Sequence, residues 1–290
     1  MLSHPIASEE LYLWAVLMKL NPGFRSLLLL APPGARIPDS FSGISCDPER
    51  HACLLQQTQT LRGTVYLEDG AIDRNHVIDG RHVAECDRHS WHLLVLDNAG
   101  KVCGCTRYRH HPSEVEFLQL HAAESSLASC AIWGTKVRTA VEEELALSRS
   151  LDLPFVEIGG WALAEEIRGT VEALRMVLAS YAFFRTFGGA VGLATATVRH
   201  SSASILRRIG GRSLQYQGQS VPSYQDSAYN CSMEMLRFYS WAPNPHYDIW
   251  IREIGREIRN IPVVCGGFPE PVWMPLDSVP ALNRRIRRPE

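Results

Sequence analysis

The chain has 290 residues, 46% of them hydrophobic, and a formal net charge of −2. That is enough apolar material to bury a substantial core. No basic block of five or more consecutive residues occurs, and the densest basic stretch, NRRIRR at 283–288, reads as a solvated end, so nucleic-acid binding is not indicated.

In chain order, residues 1–50 read as an N-terminal extension. SEELYLWAVLMKL at 8–20 opens on Ser8, a cap residue, and stops at Asn21-Pro22, which predicts a short helix. Neither this run nor SLLLLAP at 26–32 is long enough to span a bilayer. There is no basic n-region of a secretory signal, so a reducing cytoplasm is expected. APPGARIPDS at 31–40 reads as irregular. CLLQQTQTLRGTVYLEDG at 53–70 reads as a helix entering a turn. SWHLLVLDNAGKVCGCTRYRHH at 90–111 reads as a hairpin of two strands about an Asp-Asn-Ala-Gly turn. Two of its three histidines, His110 and His111, end the second strand and are expected to be exposed, while His92 is expected to be a satisfied core histidine.

A charged helix follows at 136–154, then the strand FVEIGGWAL at 155–163. The clearest helix lies within 168–189, where Val171, Leu174, Leu178, Tyr181 and Phe184 recur at three-to-four spacing and Gly188-Gly189 end it. AVGLATATV at 190–198 reads as a buried strand, SSASILRRIGG at 201–211 as a short helix, and YNCSMEMLRF at 229–238 as a strand. Residues 241–290 form a C-terminal extension with one helix at 248–260. This order predicts an α/β (α+β) fold around a mixed sheet, with the domain proper at 51–240. The eight cysteines are scattered, and only Cys103 and Cys105 are close. An i, i+2 pair in a strand shares a face, which reads as packing, and no spacing suggests a metal site.

The stretch EIGGWALAEEIRGT at 157–170 carries the chemistry. Glycine inside a strand marks a bulge or a close backbone approach, which points to Gly159 and Gly160. Arg168, Gly169 and Thr170 open the following helix, whose free N–H groups suit a phosphate. A bulged strand leaves backbone groups for an extended ligand. The combination suits a pantetheine arm with its phosphate at the helix start.

Strand, Arg-Gly, long helix, strand and then SSASILRRIGG together resemble the core of the GCN5-related N-acyltransferase (GNAT) superfamily. LRGTVYLEDGAI at 61–72, ECDRHSWHLLVLDNAGKVCGCTRY at 85–108 and VEIGGWAL at 156–163 resemble three successive signatures of its acyl-homoserine-lactone synthase and long-chain N-acyl amino acid synthase branch. The resemblance spans about 53–238. It implies a mixed sheet with helices on both faces and a β-bulge in the central strand. It also implies a thioester donor carried by an acyl carrier protein or, second, by coenzyme A, with no permanent cofactor. Arg62 and Tyr66 match the family's first-helix Arg and aromatic, Asp87 its acidic residue, and Arg107 its strand arginine. Glu157 matches its strand glutamate and Trp161 the following aromatic. Gly160 departs, because autoinducer synthases carry arginine there. An acceptor amine other than that of S-adenosylmethionine is therefore expected.

The implied reaction is attack of an amine on an acyl thioester. Glu157 is expected to accept the amine proton, or else to be a salt-bridged strand residue. Arg62 and Arg107 are expected to hold an acceptor carboxylate, to brace Asp87, or both. Tyr66 and Trp161 wall the pocket or pack the core. Arg168 meets the donor or is simply solvated. Backbone N–H groups at the bulge are expected to polarise the thioester carbonyl. Besides acyl transfer, the same site would suit a non-catalytic acyl-binding protein, thioester hydrolysis or transfer to a hydroxyl.

Overall fold

A computed structural model describes residues 25–199, 202–226 and 228–267. The helix expected at 8–20 and the basic tail at 283–288 lie outside them. A 10-stranded mixed sheet organises the rest, in the order β10 (Tyr224–Gln225), β11 (Ser232–Tyr239), β6 (Val191–Thr197), β5 (Phe155–Leu163), β4 (Val102–His111), β3 (Trp91–Leu96), β1 (Ser26–Ala31), β12 (Pro262–Cys265) and β2 (Gly43–Cys46), with β7 (Arg212–Ser213) also on β11, while β8 (Gln215–Tyr216) and β9 (Gln219–Ser220) pair separately. The five α-helices among the described residues are α1 (Pro48–Glu68), α2 (Gly134–Ser150), α3 (Val171–Thr186), α4 (Ser202–Arg208) and α5 (Asp248–Ile258).

Residues on both sides of 51–240 belong to this sheet. β1 pairs antiparallel with β3 and parallel with β12, with Leu29 opposite Val263. The leucine run of β1 is explained by burial on both sides. Leu27 and Leu29 join the core under α3 and α5, while Leu28 and Leu30 join the one under α1. α2 covers Phe155, Val191 and Leu193 on the same face as α1, so helices cover both faces.

Local chemistry sets the helix ends. Asp47 caps α1 by accepting from the Arg50 N–H at 2.9 Å, with Pro48 in the first turn, so this helix starts five residues before the apolar run read from the sequence. Thr170 caps α3 by accepting from the Glu172 N–H at 3.2 Å. α5 buries Ile251, Ile254 and Ile258, one every three or four residues, against α3.

Two irregularities shape the centre. The β3–β4 register shifts between Val95 and Leu96, and this sends Cys103 and Cys105 into cores on opposite faces. The expectation that they share a face is corrected by that bulge, although both are packing residues. The second shift lies between Cys105 and Arg107, where three steps of β5, from Gly159 to Ala162, face two of β4. That is the β-bulge, and it falls on the double glycine.

Candidate active site

β5 and β6 run parallel through four pairs, from Phe155↔Val191 to Ile158↔Ala194, and pair no further. β5 continues to Leu163 and β6 to Thr197, each still laddered to its other neighbour. The strands therefore part at the bulge. A cavity of about 620 Å³ occupies the gap, within the size range of small-molecule sites. Gly160 has φ +64°, the left-handed region. A Cβ there would lie 3.1 Å from both the Arg107 Cβ and Arg62 Nη1. A side chain at this position is thus strained on this backbone.

Of the residues singled out in the sequence, Tyr66, Arg107, Glu157, Gly159, Gly160, Trp161, Arg168, Gly169 and Thr170 line the cavity. Arg62 and Asp87 do not; they lie behind the wall, each 1% exposed. Arg62 Nη1 donates to Asp87 Oδ1 at 2.8 Å, Nη2 donates to the other carboxylate oxygen, and Nη2 also reaches the His82 carbonyl at 3.0 Å. Arg107 Nη1 joins the same carboxylate at 2.9 Å, with Gln59 Nε2 and the Ala84 N–H at 3.1 Å. Burial alone would raise the Asp87 pKa, but the bonds and charge of Arg62, and the charge of Arg107, hold it well below the usual carboxylate range. Of the two roles foreseen for Arg62, bracing is the one this geometry fits. Arg107 braces Asp87 with one arm and also lines the cavity.

Period-two alternation puts Arg107, Arg109 and His111 of β4 on one face, beside Phe155, Glu157 and Gly159 of β5. Glu157 is directly opposite Arg109 and diagonal to His111. Its Oε1 accepts from the Ala122 N–H at 3.0 Å and its Oε2 is 2.9 Å from His111 Nε2, with Arg109 Nη1 at 3.8 Å. Burial would raise the Glu157 pKa, but the His111 hydrogen bond and charge, with the backbone donors, hold it below the usual value. The exposure expected for the two histidines is corrected. His111 is 7% exposed, and His110 lies among Phe183, Phe184 and Phe187 on the opposite face, because strand pairing continues to the end of β4. His92 is buried in the core as expected and bonded only at Nε2, on the Asp87 carbonyl at 2.9 Å, so it is half satisfied, and burial lowers its pKa to about 3.

The helix-start residues sit at the other end of the gap. Arg168 Nε donates to the Leu163 carbonyl at 3.0 Å and Nη1 to Asp69 at 3.1 Å, tying the end of β5 to α1. Gly169 has φ +68° and open space around it. The rest of the wall is mixed: Leu174 and Val177 of α3, Leu193 of β6 and Ile205 and Leu206 of α4 form an apolar part, and Arg199 and Arg208 are among its polar residues. Sequence reasoning missed Arg109, His111 and Tyr229 in or beside this site. Tyr229 packs edge-on to Tyr66 at 6.0 Å and lines the cavity.

No protein-family model and no curated protein matches the chain. Among solved structures it is similar to the acyl-homoserine-lactone synthase LasI, at 15% identity over 65% of this chain and 84% of that one, with a TM-score of 0.42. It is also similar to BjaI, a CoA-dependent acyl-homoserine-lactone synthase solved with SAM and isopentyl-CoA. There the identity is 13% over 84% of this chain and 93% of that one, with a TM-score of 0.47. FeeM, an N-acyl amino acid synthase from uncultured soil microbes, matches at 11% identity over 68% and 88%, with a TM-score of 0.42. Among the described residues no helix is long and apolar enough to cross a membrane.

Proposed function

We propose that the protein is an N-acyltransferase that moves an acyl group from a thioester, carried by an acyl carrier protein or coenzyme A, to the amine of an amino acid or a similar small acceptor. The observation that carries this reading is the parting of β5 and β6 at the Gly159-Gly160 bulge, with the Glu157 carboxylate lining the gap and apolar side chains of α3, β6 and α4 beyond it. Strand edges left unpaired by the gap suit the amides of a pantetheine arm, and the start of α3 at Gly169 and Thr170 suits its phosphate. The apolar wall of Leu174, Val177, Leu193 and Leu206 suits the acyl chain.

In this reading the acceptor enters from the β4 side. Arg107 holds its carboxylate through the guanidinium arm not committed to Asp87. The amine nitrogen attacks the thioester carbonyl carbon, the N–C bond forms, and the C–S bond breaks. The amine proton passes to Glu157, and the thiolate leaves and is protonated to the thiol. The lowered pKa keeps Glu157 ionised at neutral pH, as a base must be. General-base assistance of this kind supplies about 10²–10⁴-fold, and alignment of the two substrates the larger share. The test is thiol release from acyl-carrier-protein and CoA thioesters mixed with pooled amino acids, with mass spectrometry of the product. An N-acyl amino acid supports the reading. Thiol release without an amide product points to hydrolysis, and no release at all points to a binding protein.

A further inference from the structure

We infer that His111 is a positioning residue for the base: it holds the Glu157 carboxylate ionised and aimed at the fork. The inference rests on the acyltransferase reading above. Glu157 is not held by an arginine salt bridge of normal length, since Arg109 stands off at 3.8 Å. It is gripped instead at both oxygens, by the Ala122 N–H and by His111 Nε2. Such a grip fixes the carboxylate plane while leaving lone pairs of each oxygen unused. A full ion pair with Arg109 would stabilise the carboxylate further and make it a weaker base. A buried histidine donates one bond at lower cost to basicity.

The placement of His111 is dictated by the sheet. It is the last residue of β4, 7% exposed, directly opposite Phe155 and diagonal to Glu157. The ring packs 6.3 Å from that of Phe155. Its reach to Glu157 is therefore set by strand register and not by a mobile loop. The charged or titratable groups facing this carboxylate are Arg107, Arg109 and His111 from β4 and His121, paired with Glu124, from the turn ahead of α2. Of these, only His111 is both bonded to Glu157 and shut away from solvent. Losing its N–H removes a bond that favours the charged form, so the Glu157 pKa rises.

The test compares thiol release across pH for the wild type, His111→Phe, His111→Asn and His111→Gln, at a fixed acceptor. The phenylalanine fills the space without a donor, the asparagine is polar but too short, and the glutamine restores an N–H within reach. The acid limb of kcat/KM is expected to move up by about one pH unit in the phenylalanine and asparagine variants. In the glutamine variant it should return to near the wild-type position, with KM for the thioester unchanged throughout. If the phenylalanine variant fails to fold, the asparagine and glutamine pair gives the same contrast. An acid limb that stays put in every variant that folds, or a rate loss equal at all pH with no rescue by glutamine, overturns the role of His111 alone. A wild type that releases no thiol with any amine overturns the acyltransferase reading itself, and this inference with it.

Discussion

Replacing Asp87 by asparagine probes a charge that, with its partner Arg62, is among the most buried of the described residues. The carboxylate is 1% exposed and accepts two bonds from Arg62, one from Arg107 at 2.9 Å, and two more, from Gln59 Nε2 and the Ala84 N–H, at 3.1 Å. Asparagine keeps the shape but offers one acceptor oxygen, and its amide N–H groups face other donors. Arg62, itself 1% exposed, then keeps its charge with no counter-ion in contact. Breaking a buried pair by removing one partner costs about 3–5 kcal/mol. For a domain of this size, that cost lowers Tm by about 10 °C. Urea unfolding at pH 7, followed by fluorescence, reads the difference directly. The pH dependence adds a second check. Asp87 has a folded pKa depressed below its unfolded value, so its contribution is fully present above the unfolded pKa near ~4. It is lost as pH falls through the folded one. The gap between wild type and variant should therefore narrow on acidification below about pH 4. A gap under about 1 kcal/mol at pH 7, the scale of an exposed pair, or one that widens in acid, refutes the reasoning.

Glu157→Gln keeps the strand geometry and one acceptor but removes the base; turnover at neutral pH is expected to fall by about 10²-fold, with the deficit shrinking as pH rises and more acceptor amine is already neutral. A pH-independent deficit with a lowered melting temperature would assign the residue to the scaffold. Arg107→Lys keeps the charge and loses the fork, so the acceptor KM should rise while the thioester KM holds; equal acylation of an amino acid amide lacking the carboxylate would refute this. Gly160→Ala forces a side chain to φ +64° and a Cβ to 3.1 Å from Arg107 and Arg62. It should cost at least about 1–2 kcal/mol in urea unfolding, and an unchanged midpoint would show that the bulge relaxes freely.

The hairpin, β5, α3 and the bulge were legible because each has a local signature: alternation about a turn, three-to-four spacing, and a double glycine within a strand. β1 and β12 were not. SLLLLA has no alternation to read, since both faces of β1 are buried, and its parallel partner lies more than 200 residues away at Val263. The residues of the site were mostly legible, but their partners were not. Arg107, Arg109 and His111 already alternate in the sequence, which places them on one face. That His111 meets Glu157 needs the β4–β5 register, and a register set by long-range pairing leaves no mark on either strand alone. The same limit explains Cys103 and Cys105, whose faces are reversed by a bulge with no glycine pattern of its own beyond Gly104.

The fork between β5 and β6 has an evolutionary consequence. In the acyltransferase proposed above, its grip on an extended ligand arm would be made of main-chain groups, and substitutions change side chains, not peptide groups. Only the glycines that allow the bulge are fixed by this part of the site. The cavity walls that would read the acyl chain and the acceptor are side chains, in α3, α4, β4 and, at Leu193, β6. Selection can therefore exchange acyl length or acceptor side chain one residue at a time while the donor hold stays intact. A scaffold partitioned in this way can diversify its products without passing through inactive intermediates.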